Sequence, residues 1–404
     1  MKKIAIFSLF LLGVFIYLYY LSQVEIQIIP SVLQAHNPTG YYDYRGVTHA
    51  HTDRDIGSGD FAHVVEAARE ARLDFLIITN MNQFPSQTYP QGYYEGTLVL
   101  NANEYSYLDS HILHYSAGKD PHFDNLGQAQ VYLTDLLTQK HRDPESGLLV
   151  VAHPLRPGYS WENTEYPGLN GIEVVNLKSI WENSKDHSPT HFVWSTIILP
   201  FNSNLSFLRT YIAPEREEAL WDTMNSPPTQ NLVIGYVGNN STANAIIFPP
   251  TRLKFPEYAV TFSLASNHVL LESELTGDFE KDRNKIIAAL REGRFYLSLD
   301  LLANPKGFYA HILDATQNYP MGSHLKFKEK QKIQIGLPAQ PMVPYEVLIY
   351  RDGVVWKRES SIIVEHEIPG PGVYRAVVRV RAQMPFPDGL KWIHWIYSNP
   401  FLVH

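Results

Sequence analysis

The rhythm of hydrophobic and polar positions changes twice along this chain. It opens with an unbroken apolar run, Ile4 to Leu21, behind two lysines (MKKIAIFSLFLLGVFIYLYYLSQ). At about 1.5 Å of rise per residue, a helix of that length just spans a bilayer core of about 30 Å. The lysines favour the cytoplasmic side and the rest of the chain the other side, and Tyr17 to Tyr20 suit an interfacial belt. No small-x-small cleavage site follows, because Tyr19, Tyr20 and Leu21 occupy that region, so residues 1–22 are read as an uncleaved transmembrane helix rather than a signal peptide. Residues 23–42 (VEIQIIP and beyond) read as a linker or edge strand.

From residue 43 the pattern alternates. GVTHAH is a short strand. FAHVVEAAREARL places Val64, Val65, Ala68 and Ala71 at helical spacing. DFLIITN, TLVLNANEYS, ILHYSAG, GLLVVAHP and NGIEVVN are apolar strand-length runs, with a helix at LGQAQVYLTDLLTQKH between two of them. Strands alternating with helices predict an α/β parallel sheet or barrel over residues 43–304. Residues 185–230, rich in Pro and aromatics, interrupt it as an insertion or lid with one helix at APEREEALWDTM, ahead of the strand NLVIGYVG. KDRNKIIAALREGRFYLSLD closes the region with a helix, stopped at Gly293, and a strand. Residues 305–404 then read as strands only, with Asp352-Gly353 as a hairpin signal, and predict a β-sandwich of about 100 residues.

Composition narrows the chemistry. A 404-residue chain that is 45% hydrophobic can build a large core and more than one domain. The net charge of −8 leaves no basic footprint for nucleic acid. Cysteine is absent, which excludes disulfides and thiolate ligands; a metal would have to be held by His, Asp, Glu or water.

His49 and His51 are two apart on a strand, so both imidazoles point to one face and reach one ion. They stand at a strand end, where barrel folds place active sites. Glu104 closes NANEY, His111 opens HILHY with His114 nearby, and His153 ends LLVVAHP, where an unpaired imidazole is costly to bury. A carboxylate flanked by imidazoles at successive strand ends is a bridging arrangement for two divalent ions. Arg156, just after the AHP motif, is a candidate for meeting an anionic substrate. His268 in SNHVLLE and Arg294 in EGRFYLSLD are read as structural, and His311, His324, His366 and His394 are assigned no chemistry. No GxSxG, Walker A or GxGxxG motif is present.

YRGVTHAHTDRDIGSGDFAHVVEAAREARLDFLIITNMN, together with VVAHPLRPG and NGIEVVN, resembles the polymerase and histidinol phosphatase (PHP) superfamily of metal-dependent phosphoesterases. The tail GVYRAVVRV…WIHWIYSNPFLV resembles the sandwich following that domain in the carbaryl-hydrolase-related branch. The resemblance covers most of residues 43–404 and implies a distorted, TIM-like (β/α)7 barrel with up to three metals at its strand ends. It matches the family's ligands to His49, His51, Glu104, His111 and His153. It also departs from the family. The Asp-Gly after His-x-His reads Ile56-Gly57 here, with Asp53 and Asp55 close by. Thr-Asp-His reads Thr79-Asn80-Met81, and the late Asp-x-His falls at Thr242 and Asn244. By that analogy Ile56, Met81 and Asn244 give up a third metal together. The first ion keeps His49, His51 and Glu104, losing a carboxylate at Thr242, and the second keeps Glu104, His111 and His153.

These readings lead to a single-pass membrane protein whose soluble part lies outside the cytoplasm. It would hydrolyse a small-molecule ester or phosphoester with one or two divalent ions (Zn, Mn or Fe), or with none at physiological concentrations. The alternative is a catalytically inactive barrel serving as a binding or assembly module.

Overall fold

The computed structural model describes residues 2–30, 40–83, 89–116, 121, 123–161, 166–227, 231–248, 251–315 and 317–404. Lys2–Ser22 is one exposed helix, long and apolar enough to cross a membrane. The VEIQIIP segment is not a strand. The Asn202 side chain instead donates to the Leu21 and Val24 carbonyls, at 2.9 and 2.8 Å, and Ile28 and Ile29 are buried. Residues 31–39 of the expected linker lie outside the described residues.

Two sheets carry the alternating region. In the first, Tyr42–Ala50, Phe75–Ile78 and Thr97–Asn101 run parallel. In the second, Leu148–Ala152, Gly171–Asn176 and Ile234–Gly238 do the same. The remaining neighbours are antiparallel: Asn103–Tyr107 with Ser110–Tyr115, that strand with Leu148–Ala152, and Tyr42–Ala50 with Ser266–Leu271. The fold is therefore mixed α/β and not the wholly parallel ladder that alternation suggests. Only Leu108 and Asp109 separate Tyr107 from Ser110, whereas a parallel return needs a crossover of about a dozen residues.

TLVLNANEYS, read as one strand, is two. The chain breaks at Ala102, whose N–H donates to the Ile78 carbonyl at 2.7 Å, and Asn103–Tyr107 opens the second sheet. The sheets meet through two isolated bridges, Ala50 with Ser241 and Met81 with Glu104. The seam thus runs past the candidate histidines and the candidate carboxylate.

The insertion holds more helix than expected: Pro189–Ile198 and Ser203–Thr210 precede Glu215–Met224. The Pro and polar residues that suggested loop mark helix starts instead, with Pro189 in a first turn and Asn202 accepting from the Leu205 N–H at 2.9 Å. Gly293 ends its helix at φ +72°, a backbone state that costs glycine little.

Beyond residue 304, Tyr309–Leu313, Lys332–Gly336 and Ile363–Glu367 form one antiparallel sheet, and Tyr345–Arg351, Gly372–Met384 and Gly389–Ser398 belong to another. Asp352 and Gly353 make the two-residue hairpin turn, both at positive φ (51° and 76°). The second of these sheets is not separate from the first domain. Gly389–Ser398 pairs with Phe295–Ser298, which pairs with Ser266–Leu271. One sheet therefore runs from the His49 strand into the C-terminal region.

At the seam of that sheet, His268 is clamped between Asp43 (2.8 Å) and Asp300 (3.3 Å), and Arg45 also holds Asp300 at 2.6 Å. Burial alone would push the His268 imidazole down, but the Asp43 and Asp300 carboxylates raise it to about 9. A histidine raised above its unfolded value of about 6.5 stabilises the fold fully below that pH and loses its contribution as pH climbs through about 9. The stability gap between wild type and His268→Gln is therefore expected to be widest near pH 6.5 and to narrow toward pH 10. Urea titrations at those pH values check this, and a pH-independent gap would refute it.

Candidate metal centre

Each candidate residue reaches the seam by a local feature. Strand alternation puts His49 and His51 on one face. The break at Ala102 delivers Glu104 opposite them, and Ser110–Tyr115 returns His111 alongside. His153 leaves the apolar strand Leu148–Ala152 at φ +33°, in the left-handed region, where a histidine costs on the order of 1–3 kcal/mol. The surrounding structure holds that strain, because the His153 backbone N–H donates to Glu173 at 2.8 Å.

Glu104 is the hub. Its Oε2 lies 3.2 Å from His49 Nε2 and 3.1 Å from His51 Nε2, and its Oε1 lies 2.7 Å from His111 Nδ1 and 3.1 Å from His153 Nε2. All five residues are buried. Two carboxylates missed as site residues in the sequence stand behind the first pair. Glu173 accepts from His49 Nδ1 at 2.7 Å, and Asp55 accepts from His51 Nδ1 at 2.7 Å. Asn176 and the His153 N–H hold the other Glu173 oxygen, and the Met81 N–H donates to Asp55. A lone carboxylate inside the apolar strand GIEVVN was the available signal for Glu173, since an ion there demands a partner.

These hydrogen bonds fix the tautomers. With each Nδ1–H given to a carboxylate, the neutral His49 and His51 rings turn bare Nε2 lone pairs toward each other, 3.1 Å apart, and toward Glu104 Oε2. Three acceptors converging at that spacing require a proton or a cation among them. Ligands about 2.1 Å from a common ion lie roughly 3.0–3.4 Å from one another, so the donor set fits a divalent ion. Glu104, His111 and His153 form a second such group around the other carboxylate oxygen. His153 Nδ1 and Asp55 Oδ1 are buried without a hydrogen-bond partner.

The electrostatics follow from these pairings. Burial opposes charge on His49, but Glu173 and Glu104 raise it to about 10. Burial also opposes charge on His51, and its hydrogen bond to Asp55 raises it. Desolvation would lift Glu104, yet His49 and the His111 and His153 hydrogen bonds hold it well below the usual carboxylate range.

The Asn80 and Asn244 side chains are tied to backbone groups near the cluster. Asn80 accepts from the Thr52 N–H (2.8 Å) and donates to its hydroxyl (2.8 Å). Asn244 donates to the Ile56 carbonyl at 2.9 Å, and the Thr242 carbonyl accepts from Tyr258 at 3.0 Å. In that segment, Asn240 is buried at φ +47° with its Oδ1 unpartnered, and the next residue, Ser241, is backbone-bonded to His49 and His51. Sequence reading passed over Asn240.

His114 sits on the other face of its strand and bonds the Ser146 carbonyl at 2.9 Å, away from Glu104. Arg156 makes a two-pronged pair with Glu182 (2.8 and 2.9 Å) and lies over the Tyr159 ring, which itself packs on His111. Lys178, in the first turn after Asn176, was also missed. Burial and Arg156 push its ammonium down, while Glu182 first, then Glu104 and Asp55, pull the other way. None of the described residues gives it a hydrogen bond or ion pair. Arg294 pairs with Glu272 and Glu292 on the surface.

No family model and no curated protein matches this chain. Among solved structures it is similar to a two-domain protein from Bacteroides vulgatus described as containing a predicted PHP-like metal-dependent phosphoesterase, with 11% identity, a TM-score of 0.40, and coverage of 92% of this chain and 98% of that one. A second similarity, to an engineered protein, has 10% identity and a TM-score of 0.15, covering 84% of this chain and 80% of that one. The carbaryl-hydrolase branch finds no support in these comparisons. At such levels of likeness, the site's own geometry has to carry the functional conclusion.

Proposed function

We propose that this chain is a PHP-type, metal-dependent hydrolase of anionic esters, phosphoesters first among them. It would be built on a distorted (β/α)7 arrangement and held by its N-terminal helix to the non-cytoplasmic face of a membrane. The observation that carries this reading is the Glu104 carboxylate, with two imidazoles on each oxygen and the His49 and His51 tautomers set by Glu173 and Asp55. Carboxylate–histidine pairs of this kind orient metal ligands and raise their basicity. His49, His51 and Glu104 would hold one ion, and Glu104, His111 and His153 a second. When bound, divalent ions supply Lewis acidity toward an ester oxygen and toward water.

The chain's own residues supply the rest. Glu173 and Asp55 keep the two rings in register. Burial of the cluster excludes bulk water and strengthens each charge interaction. Lys178, without an ion pair among the described residues and within the electrostatic reach of Glu104 and Asp55, would meet the substrate anion. Lys178→Met is therefore expected to raise KM about 10–100-fold with kcat little changed, the loss of one charged hydrogen bond. Steady-state kinetics on a nitrophenyl phosphate check this. Lys178→Arg should recover much of the loss, and an unchanged KM in Lys178→Met would remove the residue from substrate binding.

Metal content of the full-length protein in detergent, by elemental mass spectrometry after incubation with Zn or Mn, tests the main reading. One or two ions per chain together with phosphoester turnover are expected. A chain that stays metal-free would turn attention to the second reading, a binding module. That reading is favoured by the way Asn80 and Asn244 are spent on the backbone, and by the cluster's capacity to balance its charge with protons alone.

A further inference from the structure

The apolar helix does not leave the folded body at a polar surface. The Tyr17 hydroxyl donates to the Phe386 carbonyl, and the Tyr17 ring meets Trp194 edge-on at 6.5 Å between centroids. Around that junction lie exposed apolar side chains from two segments: Val193, Trp194, Ile197 and Phe201 in and just after the helix Pro189–Ile198, and Phe386 and Leu390 on the facing loop and strand. Phe386 is 82% exposed and Val193 56%. Asp388 binds the segments together, pairing with Arg209 at 2.7 Å and lying 3.8 Å from His191.

Monomeric soluble proteins rarely leave such side chains contiguous without a function. The spacing of Val193, Trp194 and Ile197 puts them on one helical face, while Ser195 and Ile198 on the other are buried. From Pro189 to Asn204 there is no Asp, Glu, Lys or Arg; the ionisable group on this stretch is His191, which has Asp388 at 3.8 Å as a counter-charge, so little net charge would have to be desolvated when this face enters an apolar medium. A helix with aromatic and aliphatic side chains on its open face has the character of an in-plane interfacial helix.

We infer that the helix Pro189–Ile198, with Phe201, Phe386 and Leu390, is a second membrane contact. It would seat the folded body in the headgroup–acyl boundary of the same bilayer that the N-terminal helix crosses. The occupant is lipid because the patch is continuous with the last turns of the candidate span. This inference rests on the anchored reading above.

The absence of cysteine makes the test direct. Single cysteines at Val193 and Phe386 would be spin-labelled in the full-length chain in phospholipid vesicles, beside Phe10→Cys in the span and Val131→Cys on an exposed helix face. Accessibility to oxygen and to a water-soluble nickel chelate would then be compared. The Val193 and Phe386 labels are expected to show an oxygen-to-nickel ratio severalfold above the Val131 label and close to the Phe10 label. If Phe10 reads as lipid while both patch labels read as water, the seat is wrong and the anchor stands. If Phe10 itself reads as water, the anchored reading fails and the seat with it.

Discussion

Glu104→Gln is expected to empty the centre and silence the protein without unfolding it. The substitution keeps the shape of the side chain but replaces one charged oxygen by an NH2 donor and removes the negative charge. Both carboxylate oxygens are in use, each against two imidazoles, so neither placement of the amide is harmless. An NH2 directed at His49 and His51 would occupy the space of one ion, and one directed at His111 and His153 the space of the other. Metal content should fall from one or two ions to near zero, and turnover by on the order of 10³-fold or more, about 4 kcal/mol of barrier. The metal-free variant should also be less stable than metal-free wild type by about 3–5 kcal/mol, because His49 and His51 lose a buried counter-charge. Elemental analysis, phosphoester kinetics and urea unfolding on the same preparations check all three. Wild-type metal content and turnover in Glu104→Gln would falsify the proposed centre.

The second large effect comes from a residue that touches no metal. Gly238 ends the strand beside Glu173, and a Cβ built there would overlap the Glu173 carboxylate at its Cδ and both oxygens. That carboxylate has nowhere to go, since His49, the His153 N–H and Asn176 hold it from three directions. Gly238→Ala should therefore push Glu173 off His49, free the imidazole to change tautomer, and weaken metal binding about 10–100-fold, as loss of an outer-shell partner does. Glu173→Gln is the matched control and should weaken binding to a similar degree. Combining the two should add little, because both act on one hydrogen bond. Metal titrations of the single and double variants decide it. Full additivity would mean that Gly238 acts elsewhere.

Much of this arrangement was legible from local signals. Asp352-Gly353 demanded a hairpin, Gly293 a helix stop, and His-Ala-His a shared face, and each is set by backbone geometry within a few residues. Glu104, His111 and His153 stood out because ionisable groups beside long apolar runs need partners. What escaped reading depends on distant pairings. The break at Ala102 and the change of sheet are decided by contacts with Ile78, not by the run TLVLNANEYS itself. Glu173 carries a local signal, but its partner His49, and the place of Lys178 just beyond the same strand, emerge only when Gly171–Asn176 lies beside the seam. The open face of Pro189–Ile198 is visible only once Tyr17 is seen resting on it, because a Pro- and aromatic-rich stretch serves a lid, a loop or an interfacial helix equally well.

The sheet shared between the His49 strand and Gly389–Ser398 has a consequence for how the protein is made. A growing chain delivers His51 long before Ser398, an interval of roughly 20–70 s at about 5–20 residues per second. Once residue 298 is made, Phe295–Ser298 stays a bare sheet edge until Gly389–Ser398 arrives, about 100 residues or roughly 5–20 s later, the kind of surface that recruits other strands. A stop codon ahead of Gly389 would leave that edge open permanently, although every metal-ligand candidate had already been translated. The nascent chain is thus most exposed to misassembly after its candidate metal ligands have been synthesised and before Gly389–Ser398 arrives.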